Sequence, residues 1–353
     1  IIEEIDYPII ARPSFVLGGR SMQIIYDSKQ LRNYLKTDIE ISPNSPLLLD
    51  SYLGSAVEVD VDALSDGKKV FIAGVMEHIE EAGVHSGDSA CSLPPHSLKR
   101  EIITKIKKQT TALAIELKVK GLMNVQFAVK NEEIYVLEVN PRASRTVPFI
   151  AKATGIPLAG LGAKLMIGKK ISDLDIKEKI NRHVAVKEAV LPFERLPGSD
   201  TLLTPEMRST GEVMGIDNNF EMAFFKSQIA AGIMLPHSGS AFISIKDTDK
   251  TEMMLDALRE LNDIGFKLIA TAGTKLFLDR AGIKNELVRK VFEGRPNIVD
   301  LLIDRKISIV MNTTEGEQSI IDSKDIRQLA LDKKIPYYTT ARGIIAAIFS
   351  LKE

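Results

Sequence analysis

Asn124–Arg145 reads NVQFAVKNEEIYVLEVNPRASR. Two short apolar runs, Val125–Val129 and Ile134–Val139, flank the polar stretch Lys130–Glu133, which is the pattern of a β-hairpin. Glu138 and Asn140 stand two apart, so on a strand both side chains leave the same face. With Asn131, Glu132 and Glu133 as a three-residue loop, Gln126 falls directly opposite Glu138. Three oxygen-bearing side chains then share one patch, and a turn at Pro141 and two arginines, Arg142 and Arg145, follow it. Oxygen ligands on a rigid sheet suit Mg2+ or Mn2+, which keep waters and complete their shells with phosphate oxygens. Guanidinium groups alongside suit a carboxylate-like or phosphorylated substrate. An arbitrary E-x-N would be the solvent face of an ordinary hairpin; the neighbours set this one apart.

The order Gln126, then Glu138-x-Asn140-Pro141-Arg142-x-Ser144-Arg145, resembles the metal-binding hairpin of ATP-grasp ligases. In detail it is similar to that of the carbamoyl-phosphate synthase large subunit. The resemblance implies that Gln126, Glu138 and Asn140 hold two divalent ions on the phosphates of ATP. It implies that Arg142 and Arg145 bind carbamate and the transferring group.

The chain has 353 residues, enough for two or more domains with sizeable cores. A hydrophobic share of 44% with 26% charged residues is ordinary for a globular protein. The formal net charge of −1 gives no electrostatic reason to expect nucleic acid or an anionic membrane as partner. The single cysteine, Cys91, excludes an internal disulfide framework and fits a reducing compartment, so the expected location is the cytoplasm. No apolar run approaches the ~20 residues of a membrane span. The sequence opens on Ile1-Ile2-Glu3 and enters strand-like residues at once, which leads us to expect a piece of a longer polypeptide.

From the start of the chain, Tyr7–Arg12 reads as a strand stopped by Pro13, followed by Ser14–Arg20 (SFVLGGR) with its glycine pair. RPSFVLGGR resembles the strand and flap that close over nucleotide phosphates in this family, and implies a phosphate contact for Arg12. Ser28–Thr37 is expected to be a helix capped by Ser28, and Pro46–Asp50 a buried strand. By resemblance, Ser51 and Leu53 contact the nucleoside. Ala56–Leu64 alternates apolar and acidic residues, so Glu58, Asp60 and Asp62 share one face, read by itself as a solvated face. The resemblance makes Glu58 the ribose-hydroxyl partner. Lys69–Ile79 is another strand. The stretch over 80–95 reads as a long loop without secondary structure. Its GVHSGDS run resembles the family's nucleotide loop, which implies ATP contacts for Gly83, Val84, His85 and Ser86. Ser97 is expected to cap a helix over Leu98–Lys118 whose core stripe is Ile103, Ile106, Leu113 and Leu117. Helices over 157–167 and 220–231, a strand over 183–190 and the PEMRSTGEVMG run at 205–215 follow.

Beyond Pro236 strands and helices alternate, which implies a parallel sheet covered on both faces. Thr271 and Thr274 lie where a strand ends and a helix begins, and Asn312 at a second strand end, the places where such sheets bind ligands. The region resembles the methylglyoxal-synthase-like regulatory domain of the same large subunit. Lys250, Thr271, Thr274, Lys290, Asn312 and Thr314 then correspond to effector contacts, with UMP or IMP as the implied ligand. True methylglyoxal synthases carry a glycine-rich stretch with a catalytic aspartate after the strand ending at Asn312. Thr313-Thr314-Glu315-Gly316 stands there instead, so binding without catalysis is expected.

The expected fold is α/β: an N-terminally truncated ATP-grasp domain over 1–235, then a doubly wound parallel-sheet methylglyoxal-synthase-like domain over 236–353. The implied function is ATP-dependent phosphorylation of carbamate in the C-terminal half of the large subunit, serving pyrimidine and arginine biosynthesis. The implied partners are the N-terminal half of the same subunit, a glutaminase small subunit and further copies of the chain. Another ATP-grasp carboxylase or ligase, or a nucleotide-sensing module with a structural ATP-grasp part, are the alternative readings.

Overall fold

The structure, a computed structural model, describes residues 5–14, 21–36, 46–176, 182–193 and 201–352. Of the glycine flap expected over 14–20, residues 15–20 lie outside the described residues.

Strand β1 (Ile9–Pro13) lies between β2 (Gln23–Ile25) and β3 (Leu47–Ser51) in a small antiparallel sheet. Helix α1 (Ser28–Tyr34) covers it, with Leu31 and Tyr34 packed on Ile9, Ala11 and Ile25. The N-cap is Asp27 rather than Ser28, because the Asp27 carboxylate accepts both Lys29 N–H and Gln30 N–H. Strand β3 is half-exposed instead of buried, since α1 covers only the inner side of this sheet.

The next unit is built on a seven-stranded antiparallel sheet. Its elements in order of sequence are β4 (Val57–Asp66), β5 (Val70–Glu81), β6 (Cys91–Leu93), α2 (Arg100–Glu116), β7 (Lys120–Lys130), β8 (Glu133–Asn140), α3 (Val147–Thr154), α4 (Leu158–Met166), β9 (Val184–Val190), β10 (Gly211–Asp217) and α5 (Phe220–Ala230). Across the sheet the order is β10-β9-β6-β5-β4-β7-β8. Helix α2 seals one face through Ile102, Ile106 and Ala114 against Val59, Val61, Val125 and Phe127. Helices α3 and α4 cover part of the other face, where Phe149, Ile150, Leu158 and Leu165 meet Leu64, Met76 and Leu93. Gly215 lets α5 rest on β10: a Cβ there would stand 2.0 Å from the Ala223 carbonyl oxygen.

Three sequence expectations change here. The stretch over 80–95 contains β6, which pairs with β5 and β9. The buried face of α2 is Ile102, Ile106, Thr110 and Ala114, while Leu117 is 53% exposed, because the helix starts at Arg100 and ends before Leu117. Ser97 does not cap it; the Ser97 hydroxyl and amide both bond the Glu77 carboxylate instead.

The last unit comprises β11 (Ser240–Ser244), α6 (Glu252–Asp263), β12 (Lys267–Ala270), α7 (Ala272–Arg280), β13 (Glu286–Leu287), α8 (Ile298–Ile303), β14 (Ile309–Asn312), α9 (Gly316–Asp322), α10 (Lys324–Asp332), β15 (Tyr337–Tyr338) and α11 (Ala341–Lys352). All its pairings are parallel, in the order β13-β12-β11-β14-β15. Residues of α6, α7 and α11 fill one side of the sheet, and those of α8 and α10 the other. Between β14 and β15 two helices, α9 and α10, meet at Ser323.

Helix α11 joins the two larger sheets. Ala346 and Ala347 share a buried cluster with Ile79, Ala90, Val186 and Phe224. Its Arg342 is ion-paired to Glu77 of β5, whose side chain is fully buried. Burial opposes ionisation of Glu77, but His96, Arg342 and Ser97 outweigh it and hold its pKa below the ordinary value. At the same seam, Tyr338 donates to Gln228 (3.0 Å) and Gln228 donates to Glu188. Burial and the nearby Glu80 push the Glu188 carboxyl above its ordinary 4.5. The folded state therefore keeps this proton to higher pH than the unfolded chain does. Stability from this group is present below about pH 4.5 and is lost as pH rises through neutrality, by up to ~1.4 kcal/mol per pH unit. Scanning calorimetry between pH 5 and 8 is expected to show a falling midpoint, with a shallower fall in Glu188→Gln; equal slopes in the two proteins would overturn the assignment.

Candidate active site

The site grows out of the pairing of three strands. Register sets Asp60 opposite Gln126 and Gln126 opposite Glu138; the next row is Asp62, Asn124 and Asn140. The pairing expected between Gln126 and Glu138 is present, but it arises differently. The turn has two residues, Asn131 and Glu132, both with positive φ (51° and 66°), and Lys130 pairs with Glu133. A bulge then shifts the register, because Phe127 faces Val136 while Gln126 faces Glu138. Leu137 is the extra residue, and it returns Glu138 to the row of Gln126.

Glu138 is exposed and accepts from the Asn140 amide (2.6 Å), so these two are already in contact. Gln126 donates through Nε2 to the Ser86 hydroxyl (2.8 Å), an orientation that directs its carbonyl oxygen away from Ser86. Among the described residues no group of three or more His, Cys, Asp or Glu could hold a metal by itself. One carboxylate with two amide oxygens fits a hard cation that takes its remaining ligands from water and phosphates.

The acidic face of β4 is not solvated. Glu58 is 6% exposed, Asp60 2% and Asp62 0%; Ser144 and Thr146 bond Asp62, and His78 of the neighbouring β5 lies against Asp60. Asp60 Oδ2 lies 3.2 Å from His78 Nε2 of β5. Burial favours neutral His78, but Asp60 and Glu58 outweigh it and raise its pKa. Burial pushes Glu58 up to about 7, partly offset by His78 and reinforced by Asp60 and Glu138.

The nucleotide-loop residues border this patch. Gly83 packs against the Tyr52 ring, and Tyr52 donates to the Ala82 carbonyl (3.0 Å). Leu53 rests on Ala56, Ala82 and Ala128, the last of which pairs with Glu58. Val84 is half-buried and bridges to Ala82. His85 accepts from Gly87 N–H (3.0 Å), and its own backbone N–H donates to the Thr204 carbonyl (2.9 Å). Burial lowers the His85 pKa; Arg145 adds to this, and Asp88 opposes it. Asp88 ties the loop to the 204–209 segment by accepting from Arg208 N–H and Ser209 N–H. Arg145 reaches the same point and contacts the Met207 sulfur. Arg142 is exposed and donates to the Ala143 carbonyl (3.1 Å). Among the described residues neither arginine has a carboxylate partner.

Leu53, Glu58, Gly83–Ser86, Gln126, Glu138, Asn140 and Arg145 thus lie around one end of the sheet. Among the described residues, no hydrogen bond or ion pair ties the Arg12 or Ser51 side chain to this group. Both sit on the small sheet, Ser51 exposed and opposite Ile9, Arg12 ion-paired to Asp50 at 2.9 Å. No hydrogen bond or ion pair among the described residues links Arg12 to Glu138. Sequence reading missed the roles of Asp60, His78, Asp62, Ser144 and Thr146. The alternating D-x-D was its one available signal, and a polar row alone does not reveal what covers it.

In the parallel unit, Thr274 accepts from Ile245 N–H (2.9 Å), and Thr271 donates to Ser244 (3.2 Å). Ser244 pairs with Asn312, whose buried Nδ2 has no partner. Lys250 hangs over the start of α7, 3.5 Å from where a Gly273 Cβ would be, and is ion-paired to Asp247 at 2.6 Å. Lys290 is exposed and lies 5.8 Å from the Phe292 ring centroid; its charge also lowers the Asp247 pKa, after that of Lys250. Thr314 is half-buried two residues beyond Asn312. No helix among the described residues is long and apolar enough to cross a membrane.

Comparison with known proteins agrees with this architecture. Residues 1–174 match the family model described as carbamoyl-phosphate synthase L chain, ATP binding domain, and residues 253–339 match the MGS-like domain. The carbamoyl phosphate synthase large chain of Archaeoglobus fulgidus is 50% identical over the whole of this sequence, which spans 33% of that protein. The chain thus spans about a third of the full-length large chains it matches. In Aquifex aeolicus, a protein described as the C-terminal section of the large chain is 48% identical, over 100% of this sequence and 69% of its own. Among solved structures, the biotin carboxylase domain of Hydrogenobacter thermophilus 2-oxoglutarate carboxylase superposes with a TM-score of 0.50 at 15% identity. That match covers 65% of this chain and 57% of the other, a likeness of fold. Identity of this level along the whole sequence, with both family models matched in order, means that the chain belongs to the carbamoyl phosphate synthase large chain family.

Proposed function

We propose that this chain is the carbamate-phosphorylating unit of a carbamoyl phosphate synthase large chain, followed by a unit that binds a nucleotide effector, with the division at residues 235/236 between α5 and β11. The reaction class is an ATP-dependent carbon–nitrogen ligase. In the whole enzyme, the rest of the large chain would supply carbamate, and a glutaminase subunit would supply ammonia from glutamine. The observation that carries the reading is the row Gln126–Glu138 with Asn140, set beside two arginines that lack carboxylate partners among the described residues.

Gln126, Glu138 and Asn140 would hold Mg2+ or Mn2+, two ions in the fullest reading. A divalent ion bound there would screen the phosphate charge during transfer. Leu53, Glu58 and Gly83–Ser86 would seat the nucleoside, with the Glu58 carboxyl accepting from the ribose hydroxyls. Arg142 and Arg145 would orient carbamate and stabilise the charge on the moving phosphoryl group. Arg12, released from Asp50, and Ser51 would contact the nucleotide from the small sheet. Covering the site would keep water from carbamate. In the C-terminal unit, Lys250, Thr271, Thr274, Lys290, Asn312 and Thr314 would bind a nucleoside monophosphate such as UMP or IMP. With Thr313-Thr314-Glu315-Gly316 after β14, that site would bind without turnover.

Formation of ATP from ADP and carbamoyl phosphate, with the chain assembled with the rest of its enzyme, tests the reading. Glu138→Gln is expected to lose at least ~10²-fold in this rate while keeping its fold, because the side chain is exposed. Near-normal turnover would overturn the metal assignment. The 353-residue chain alone is expected to make little carbamoyl phosphate from ATP, bicarbonate and ammonia; robust synthesis would remove the need for the partners named. Calorimetric titration of the chain with UMP, IMP and phosphate should detect binding that disappears in Thr274→Ala with Lys290→Ala. Undiminished binding by that variant would exclude the site.

A further inference from the structure

The segment between β8 and α3 carries both arginines yet contains no regular structure of its own. It is tied down at three points. Arg142 N–H donates to the Asn140 carbonyl (2.8 Å), which closes a tight turn after β8. The Ser144 hydroxyl donates to Asp62 Oδ1 (2.7 Å), and the Thr146 hydroxyl donates to Asp62 Oδ2. Asn124 of β7 also donates to Asp62 Oδ1 (3.1 Å). Both oxygens of one fully buried carboxylate are thus bonded, and two of the three donors come from the arginine segment.

Thr146 is also the N-cap of α3, and its side chain makes no capping bond. A threonine there ordinarily bonds the first turn of its own helix. Here the hydroxyl turns to Asp62 instead. Arg145 lies between the two tethered residues, and Arg142 lies in the turn that precedes the first of them. Asp62 is on β4, fixed by ladders to β5 and β7. Burial raises its pKa to about 6, and the three donors pull in the opposite direction.

We propose that Asp62 is the positioning residue of the arginine segment: through Ser144 and Thr146 it fixes where Arg142 and Arg145 meet the carbamoyl phosphate end of the substrate. It does not itself touch substrate. The inference rests on the phosphoryl-transfer reading above and deepens it.

The test uses Asp62→Asn, which keeps size but weakens acceptance from two hydroxyls, with two readouts. In the assembled enzyme, ATP formation from ADP and carbamoyl phosphate should show KM for carbamoyl phosphate raised at least ~10-fold, with KM for ADP within about twofold. In the chain alone, hydrogen exchange should accelerate over 141–146 and stay unchanged in β4 and β7. If Asp62→Asn does not fold, Thr146→Val should reproduce both effects and Thr146→Ser should restore them. A parallel rise in both KM values, or unchanged exchange over 141–146, would overturn the proposal. An inactive wild-type enzyme would refute the phosphoryl-transfer reading instead, and the exchange arm would still decide whether Asp62 holds the segment.

Discussion

The pairing of β4, β7 and β8 is the constraint on which the site depends. Two cross-strand rows, Asp60–Gln126–Glu138 and Asp62–Asn124–Asn140, put six polar side chains on one face. A one-residue slip of any one of these strands would turn its two polar residues into the core packed on α2. A two-residue turn with two residues of positive φ, followed by a bulge, fixes that register. The bulge is therefore part of the site: without it Leu137, not Glu138, would face Gln126.

The rows divide the work between depth and edge. Glu58, Asp60 and Asp62 lie buried on the central strand, while Glu138 stands exposed on the edge strand. Buried carboxylates are costly unless bonded, and Asp62 is bonded three times. Asp60 contacts His78, but its Oδ1 and His78 Nδ1 have no partners among the described residues. The charge that can meet a cation from solution is thus on the rim, and the charges that organise the loops are inside.

The C-terminal unit is fastened to this sheet by apolar and polar contacts together. Ala346 and Ala347 of α11 pack beside Ile79 and Val186, and Arg342 neutralises a Glu77 that is otherwise held by Ser97 and Leu98 amides. Glu77 adjoins His78, which bonds the Asp60 row. A shift of α11 would therefore strain a contact only a few residues from the site.

Much of this could be read in the amino-acid order. Alternation placed Glu138 and Asn140 on one face, and strand–helix alternation after Pro236 gave a parallel sheet with Thr271, Thr274 and Asn312 at strand ends. These are local, period-based properties that a strand or helix keeps wherever it packs. Tertiary structure alone decided what covers a face. The alternating acids of β4 are consistent with solvent or with a lid, and the return of Ser144 and Thr146 from 82 and 84 residues away gives the buried Asp62 two of its three partners. Likewise Ser97 reads as a cap until Glu77 claims it, and Arg12 reads as a phosphate ligand while the fold pairs it with Asp50. The physical reason is the same in each case: a polar side chain's partner is chosen by proximity in space, and no periodicity encodes a contact across 265 residues such as Arg342 with Glu77.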